Sequence, residues 1–235
     1  MIFPTGDHAT RLVLDDTSAG LPVVRWLGVL PDGAGAQAVL AAAGPMRGSP
    51  LLVEHARGSF ARPGLRGHRL GASPGADSRD IAGRDWSTSF DVLGVDVGGD
   101  RLVVDAEDHA ADLALRTEIQ ALRGGALRAR HTLTNRGAQP YLLDGLEISV
   151  PIPDGFAEVL DFTGRHERER VPQRHDIRDG LWMRESRRGT PGHDSASALI
   201  TGTPGFGFDT GAVISVLVAS SGNSTMSVER SGAAG

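Results

Sequence analysis

One run of residues with the types needed for hydrolytic chemistry lies in the second half of this sequence. His193, Asp194 and Ser195 are consecutive and have the residue types of a hydrolytic triad. On a strand, however, consecutive side chains point in opposite directions, so these three cannot pass a proton to one another. The run favours a local hydrogen-bonded turn over a catalytic centre.

A glycine-rich run, "TGTPGFGFDTG" at 201–211, has the composition of a phosphate-binding loop. It lies between strand-like runs and opens no helix, whereas a dinucleotide site needs the N-terminus of a helix beside its glycines. We therefore predict a turn here rather than a nucleotide site.

Metal and thiol chemistry find little support in the sequence. Cysteine is absent, which excludes disulfides, zinc–thiolate sites and thiol nucleophiles. The 8 histidines include no helical i, i+4 pair with a glutamate and no His-x-His pair, so only ligands from distant strands could meet at a metal. We predict no metal site and no cofactor.

The segment 162–195 concentrates charge and aromatic residues. In "HERER", His166, Arg168 and Arg170 would share one strand face, which fits either a solvated strand or a domain or subunit interface. Apolar packing is expected from Phe162, Trp182 and Met183. Because a buried arginine needs carboxylate or carbonyl partners, a polar lock is expected among Arg187, Arg188 and Asp194.

Most of the chain has the period-two alternation of strands. "FDVLGVDVGGDRLVVDAED" predicts a hairpin around Gly-Gly-Asp, and "DLALRTEIQAL" and "ALRARHTLTN" flank a second turn. "GAVISVLVAS" is predicted as a buried strand, and only "GAQAVLAAAGPM" suits a short helix. We predict an all-β fold, a large antiparallel β-sandwich with little helix, with long loops between residues 55 and 90 and a flexible loop at 71–83.

Composition narrows the class of protein further. Glycine is abundant, with 32 residues in 235, as expected for many turns between strands. The net charge is −5, every basic residue is arginine, and both signs are interspersed, which disfavours nucleic-acid binding. No stretch approaches ~18 uninterrupted apolar residues, and the first residues lack a basic start and an apolar run. We expect a soluble cytoplasmic protein that does not contact a membrane.

Six segments occur in an order that resembles the N-terminal region of the family 36 glycoside hydrolases, the bacterial α-galactosidases, particularly an actinobacterial branch. They are "LLVEHARGSFARPGLRGHR", "GRDWSTSF", "LTNRGAQPYLLDGLEISVPIP", "DFTGRHERERVPQRHDIRDG", "RESRRGTPGHDS" and "GFGFDTGAVISVLVASSGN". The resemblance covers nearly the whole chain.

The resemblance implies a single N-terminal β-supersandwich domain over residues 1–235, of the galactose mutarotase-like kind, ahead of a (β/α)₈ catalytic barrel. The family's reaction is retaining hydrolysis of terminal α-D-galactosides by two aspartates on that barrel. The nucleophile follows a lysine in a Lys-Trp-Asp-like motif, and this chain has no lysine. We therefore expect activity in the full-length protein and no catalytic residue in this chain, with structural roles for Glu54, Asp85, Asp161 and Asp194.

Family members are often tetramers in which N-domain loops approach another subunit's barrel. The resemblance thus implies a homo-oligomer, a dimer or tetramer, whose partners are its own barrel and α-galactoside sugars. It makes five residues candidates for the rim of an active site: Arg57, Ser59, Arg62, Arg69 and Trp86. Trp86 offers a flat apolar face to a sugar and arginine offers donors for hydroxyls, although Trp86 could instead plug the end of the sandwich. Many relatives carry Gly-Asp-Phe-Arg where this chain has "GSFA" at 58–61.

Two alternatives stay open. A stand-alone carbohydrate-binding β-sandwich would need an exposed aromatic platform, and the tryptophans are spread along the chain at Trp26, Trp86 and Trp182. A mutarotase-like sugar epimerase would need catalytic histidines with a glutamate base, for which no motif is recognisable. Binding to immobilised galactosides and a mutarotation assay would separate these hypotheses.

Overall fold

The computed structural model describes residues 2–4, 10–16, 20–29, 35, 38, 48–70, 83–190, 192–219 and 221–231. The elements bounded within these ranges are sixteen strands and one 3₁₀ helix of three residues, so the predicted all-β fold is confirmed. No helix in the described ranges is long and apolar enough to cross a membrane. The short helix predicted at 35–46 and the flexible loop predicted at 71–83 lie almost entirely outside the described residues.

The chain divides into two compact units, Met1–Pro151 and Ile152–Gly235, which we call unit 1 and unit 2. Every strand pair within the described ranges is antiparallel. The expectation that residues 1–235 act as a single domain stays a prediction.

Unit 1 holds two four-stranded sheets and a two-stranded ribbon. The first sheet has the order β1-β2-β3-β4, with strands Ile2–Pro4, Thr10–Asp15, Val23–Val29 and Ser49–Pro50. The ribbon pairs β5 (Leu65–Arg69) with β10 (Tyr141–Leu146), and the 3₁₀ helix spans His55–Arg57. The second sheet is a meander of β6 to β9, with strands Asp91–Gly98, Arg101–Asp108, Leu113–Ala121 and Leu127–Asn135.

The alternating pattern of the sequence builds the core of unit 1. Along β8, the odd-numbered residues from Leu113 to Ala121 are buried and the even-numbered ones between them are not. The turn between β6 and β7 contains Gly99 with φ 57°, a left-handed conformation that glycine adopts without steric cost. Both hairpins predicted for this sheet are confirmed. Strands and the segments between them contribute to one buried apolar cluster, which includes Leu14, Leu52, Phe90, Leu102 and Leu115.

Unit 2 holds a four-stranded sheet and a two-stranded ribbon. The sheet has the order β12-β11-β14-β15, with strands Arg168–Asp176, Glu158–Arg165, Ala198–Gly202 and Val213–Leu217. The ribbon pairs β13 (Gly180–Ser186) with β16 (Ser224–Arg230). Its buried apolar cluster is small and consists of Val159, Leu199, Met226 and Val228.

Strand β15 corrects the prediction that "GAVISVLVAS" is buried. It forms one edge of the unit 2 sheet, and Val213, Val216 and Leu217 are exposed, with 71% of Leu217 accessible. An unbroken apolar run predicts burial on both faces, but it carries no information about what covers an edge.

The segment 162–195 also departs from expectation in places. "HERER" is not one strand, because β11 ends at Arg165 and β12 begins at Arg168, with His166 and Glu167 in the turn between them. Trp182 packs against the unit 2 cluster, as expected, whereas Met183 is exposed. Arg188 pairs with Asp194 at 3.3 Å, but both are exposed, and Arg187 pairs with Glu185 instead, so the expected buried lock does not form.

The two turn predictions are confirmed. In the run "TGTPGFGFDTG", Thr203 N–H donates to Ala212 O (3.1 Å) and Phe206 N–H donates to Thr203 O (3.1 Å), which closes a loop between β14 and β15. At 192–195, Ser195 N–H donates to Gly192 O (3.3 Å). The 201–211 run is therefore not a phosphate-binding loop, and residues 193–195 do not form a hydrolytic triad.

Candidate functional site

A cleft of about 210 Å³ opens on unit 1. The 3₁₀ helix, strand β5 and the segment before β6 supply its walls: Val53, Glu54, His55, Pro63, Leu65, Arg66, Gly67, Trp86, Ser87 and Thr88. Pockets that enclose a drug-sized ligand measure about 300–1,000 Å³. The volume therefore suits contact with one small ring or the edge of a larger ligand, rather than enclosure of a whole substrate.

Trp86 is the flat apolar wall of this cleft, and 64% of it is exposed. A two-way backbone bridge between Arg69 and Arg84 (2.9 and 3.0 Å) fixes its segment to the end of β5. Asp85 adopts a left-handed φ of 60°, which aspartate tolerates better than most residues. The backbone next to Trp86 is therefore constrained, and the exposed ring is available for stacking.

Buried Arg69 stabilises the backbone around Asp85 and Trp86. It is only 2% exposed, and its Nε lies 3.0 Å from Asp85 Oδ2. Its two terminal nitrogens donate to Ala111 O (2.8 Å), to Asn135 Oδ1 (2.7 Å) and to Gln139 O. With its donors engaged inside the unit, Arg69 positions Trp86 through Asp85.

Glu54 is a buried carboxylate in the wall of the cleft. Its Oε1 accepts the N–H of Phe90 at 2.8 Å. Burial raises the pKa of Glu54 to about 7, against the opposing effects of the Phe90 hydrogen bond and the nearby Arg57 charge. Glu54 therefore changes charge near neutral pH, unlike an ordinary surface glutamate.

The loop after the 3₁₀ helix carries two more of the predicted rim residues. Arg57 donates to Phe90 O (2.9 Å) and pairs with Asp91 (2.5 Å), which ties the helix to the start of β6. Ser59 Oγ accepts the N–H of Ala61 (3.3 Å), and His55 Nε2 donates to Ala61 O (2.9 Å). These bonds fold residues 58–61 back onto the helix.

Arg62 shares Glu147 with a neighbour. It lies 3.6 Å from the Glu147 carboxylate, which also pairs closely with Arg66. Arg66 in addition donates to Pro63 O (3.2 Å) and lines the cleft. The Glu147 carboxylate therefore holds both guanidinium groups near one another.

The structure brings only one of the five predicted residues, Trp86, into the wall of the cleft. Arg57, Ser59 and Arg62 belong to the adjoining 55–62 segment, and Arg69 is buried and pairs with Asp85. Phe60 is 97% exposed but was not predicted as a rim residue, because residue type alone does not distinguish a buried from an exposed aromatic. The burial of Glu54 has no signal in the sequence either.

The four carboxylates expected to be structural all have partners within the chain. Besides the Glu54–Phe90 and Asp85–Arg69 contacts, Arg184 Nη2 lies 2.5 Å from Asp161 and Arg188 lies 3.3 Å from Asp194. Their non-catalytic role stays a prediction.

Comparison with known proteins relates this chain to one family. Residues 34–234 match the model described as the glycosyl hydrolase family 36 N-terminal domain. An alpha-galactosidase of Escherichia coli is 35% identical over 179 residues, which are 76% of this chain and 24% of that protein.

Two solved structures share the fold. The alpha-galactosidase from Lactobacillus brevis superposes on 99% of this chain with a TM-score of 0.76 at 16% identity, over 34% of its own length. A variant of the alpha-galactosidase AgaA from Geobacillus stearothermophilus, in complex with raffinose, covers 99% with a TM-score of 0.70 at 17% identity, over 35% of its length. The chain therefore spans about a quarter to a third of the relatives that it matches.

Proposed function

The chain belongs to the glycosyl hydrolase family 36 N-terminal domain family, and from this we propose that it is the non-catalytic N-terminal part of an α-galactosidase. In the longer enzyme it supports a downstream catalytic barrel, and the barrel hydrolyses terminal α-D-galactosides with retention. The observation that carries the proposal is the match of residues 34–234 to an N-terminal domain, combined with the small share of each relative that the chain covers.

The exposed edge strand β15 is evidence that another part of the same enzyme packs against unit 2. Its exposed Val213, Val216 and Leu217 form an apolar edge, which a protein normally covers because open edges pair with other chains. We propose that the remainder of the enzyme covers this edge.

Leu217→Asp tests whether the edge is covered. The charge should lower the thermal stability of the complete enzyme while leaving that of the 235-residue chain unchanged. Leu93→Asp, at an exposed position on β6 in unit 1, is the matched control and should change neither. Equal effects of Leu217→Asp on the chain and on the enzyme would show that the rest of the enzyme does not cover β15.

We further propose that the cleft of unit 1 forms part of the rim of an active site, in a neighbouring subunit's barrel. The exposed ring of Trp86 would stack on the apolar face of a sugar, and Arg66 and Arg62 would donate to hydroxyls. The cleft volume of about 210 Å³ fits one wall of a substrate site and not a complete one. Arg57 and Arg69 act in this proposal by holding the segments that carry the rim.

Trp86→Ala in the complete enzyme should raise KM or lower kcat for an α-galactoside without loss of folding. Phe208→Ala, which removes a fully exposed aromatic ring from unit 2, is the control and should leave both constants unchanged. Unchanged kinetics in Trp86→Ala would exclude Trp86 from the rim.

A second candidate function, sugar binding by the chain alone, is favoured by one observation. Trp86 and Phe60 both expose aromatic rings in the cleft region of unit 1, which is the feature that a carbohydrate-binding β-sandwich requires. Retention of the isolated chain on immobilised galactosides, lost in Trp86→Ala, would favour this function. The homo-oligomeric state and the cytoplasmic location stay predictions from the sequence.

A further inference from the structure

Three potential metal ligands meet on unit 2, outside the region proposed to face the substrate. His166, Glu169 and His193 each offer one ligand atom, and these atoms lie within 4.8 Å of one another. All three side chains are exposed and accessible to an ion from solvent. The spacing of histidines in the sequence gave no sign of this cluster, because its members come from two segments separated along the chain.

Hydrogen bonds outside the three ligand side chains hold the two segments next to each other. His166 lies in the turn between β11 and β12, and Glu169 is the second residue of β12. The loop that carries His193 is held on β11 by Thr163 Oγ1, which donates to Asp194 O (3.0 Å). It is also held by Ala196 N–H, which donates to Phe162 O (3.3 Å). The three ligands therefore approach one another because of the fold.

The three side chains lie close together but form no hydrogen bond to one another. His193 Nδ1 lies 3.8 Å from Glu169 Oε1, which is beyond hydrogen-bond length, and the two imidazole rings are 6.3 Å apart between centroids. Glu169 Oε1 accepts the N–H of Glu167 (3.0 Å), but a carboxylate has about four lone-pair sites and retains acceptor capacity. A cation bound between the three side chains would use these remaining lone pairs.

We propose that His166, Glu169 and His193 bind a divalent transition-metal ion of the zinc type, with water completing the coordination. Two imidazoles and a carboxylate are a ligand set that suits zinc, copper and nickel, whereas calcium and magnesium prefer oxygen ligands. Ligands about 2.0–2.2 Å from one zinc ion lie roughly 3.3 Å apart in a tetrahedron. The exposed side chains have to close by only about 1.5 Å to reach that geometry.

The ion would link the β11–β12 turn to the 192–195 loop. A ligand that binds only the folded state stabilises that state by an amount that grows with the logarithm of the ligand concentration above Kd. Zinc should therefore raise the stability of unit 2, whose own apolar cluster is small.

Calorimetric titration of the untagged 235-residue chain with zinc chloride tests the site. We expect one ion per chain, no binding of magnesium, and an affinity at least about tenfold weaker in His166→Ala, Glu169→Gln or His193→Ala. His109→Ala is the matched control, because His109 is an exposed histidine 3.8 Å from Glu107 in a different unit. Its zinc affinity should equal that of the unchanged chain.

Two further measurements separate this site from scattered binding to surface histidines. Zinc should raise the melting temperature of the unchanged chain and of His109→Ala, but not of His193→Ala. With copper(II) in place of zinc, the electron paramagnetic resonance spectrum should show two bound imidazole nitrogens, reduced to one in His166→Ala. Absence of zinc binding, or equal affinity in His193→Ala and the unchanged chain, would overturn the proposal.

Discussion

Both units are built from antiparallel strands, but they differ in how much apolar surface those strands bury. In the described part of unit 1, sixteen buried apolar residues form one cluster, and charged groups such as Arg69 and Glu54 are buried with hydrogen-bond partners. In the described part of unit 2, the corresponding cluster has four residues and an apolar edge strand is exposed. The difference indicates that burial of apolar side chains stabilises unit 1 more than unit 2.

The largest expected effect comes from the core of unit 1. Phe90 is fully buried, and Phe90→Ala should lower the free energy of unfolding by about 3–5 kcal/mol, because the lost contacts leave a cavity. Phe206 of unit 2 is buried as well, but an Arg174 guanidinium that water can re-solvate covers its ring at 4.1 Å. Phe206→Ala should cost less, about 2 kcal/mol. Urea unfolding of both variants checks the order, and equal costs would remove the contrast between the units.

Removing a buried charge should also destabilise unit 1 more than unit 2. Arg69→Met removes the 3.0 Å partner of Asp85 and one donor from each of three acceptor oxygens. Breaking a buried ion pair by removing one partner costs about 3–5 kcal/mol. Asp161→Asn in unit 2 leaves Arg184 partly in contact with water, so about 1–3 kcal/mol is expected.

Arg101→Met is the control for these charge changes. It removes an exposed pair with Glu118 and should cost under about 1 kcal/mol. A loss in Arg69→Met no larger than in Arg101→Met would contradict the positioning role of Arg69.

Glu54 gives unit 1 a pH dependence near neutrality. Because its pKa is raised to about 7 in the folded chain, the protonated carboxyl stabilises the fold at acid pH. That contribution is lost as pH rises from about 4.5 through 7. Between pH 5 and 8 the unchanged chain should lose roughly 2 kcal/mol relative to Glu54→Gln.

The comparison with Glu54→Gln is needed because His131 acts in the opposite direction. Burial lowers the pKa of His131 to about 4, so its contribution is present above pH 6.5 and is lost as pH falls through 4. Subtracting the stability profile of Glu54→Gln, measured by urea unfolding at each pH, isolates Glu54. Parallel profiles for the two proteins would contradict its buried, proton-linked state.

The smallest effect is expected in unit 2, where the shifted acids are at the surface. The Gly205 N–H and Arg174 hold the pKa of Glu158 below its usual range. Its contribution is therefore present above pH 4.5 and is lost only as pH falls below that value. Glu158→Gln should leave the stability profile unchanged in shape between pH 5 and 8, and a change there would place a neutral-pH titration in unit 2 as well.

The sequence was most informative where structure is local. Period-two runs joined by glycine turns predicted both hairpins of the β6–β9 sheet. The sequence also correctly predicted a turn at 201–211 in place of a nucleotide site. The prediction was wrong for β15, because an apolar run does not say whether its partner is another strand or another part of the protein. The burial of Glu54 and the meeting of His166 with His193 depend on tertiary contacts between distant segments, which spacing does not encode.

Hydrolysis of an aryl α-galactoside by the purified 235-residue chain tests the central claim most directly. Retaining cleavage needs two carboxyl groups about 5–5.5 Å apart around a bound sugar, and we assign that pair to the barrel of the longer enzyme. The account predicts a chain with the circular dichroism of β-structure and no turnover above buffer, beside an active complete enzyme. Turnover that persists through repurification and disappears in Glu54→Gln would contradict it.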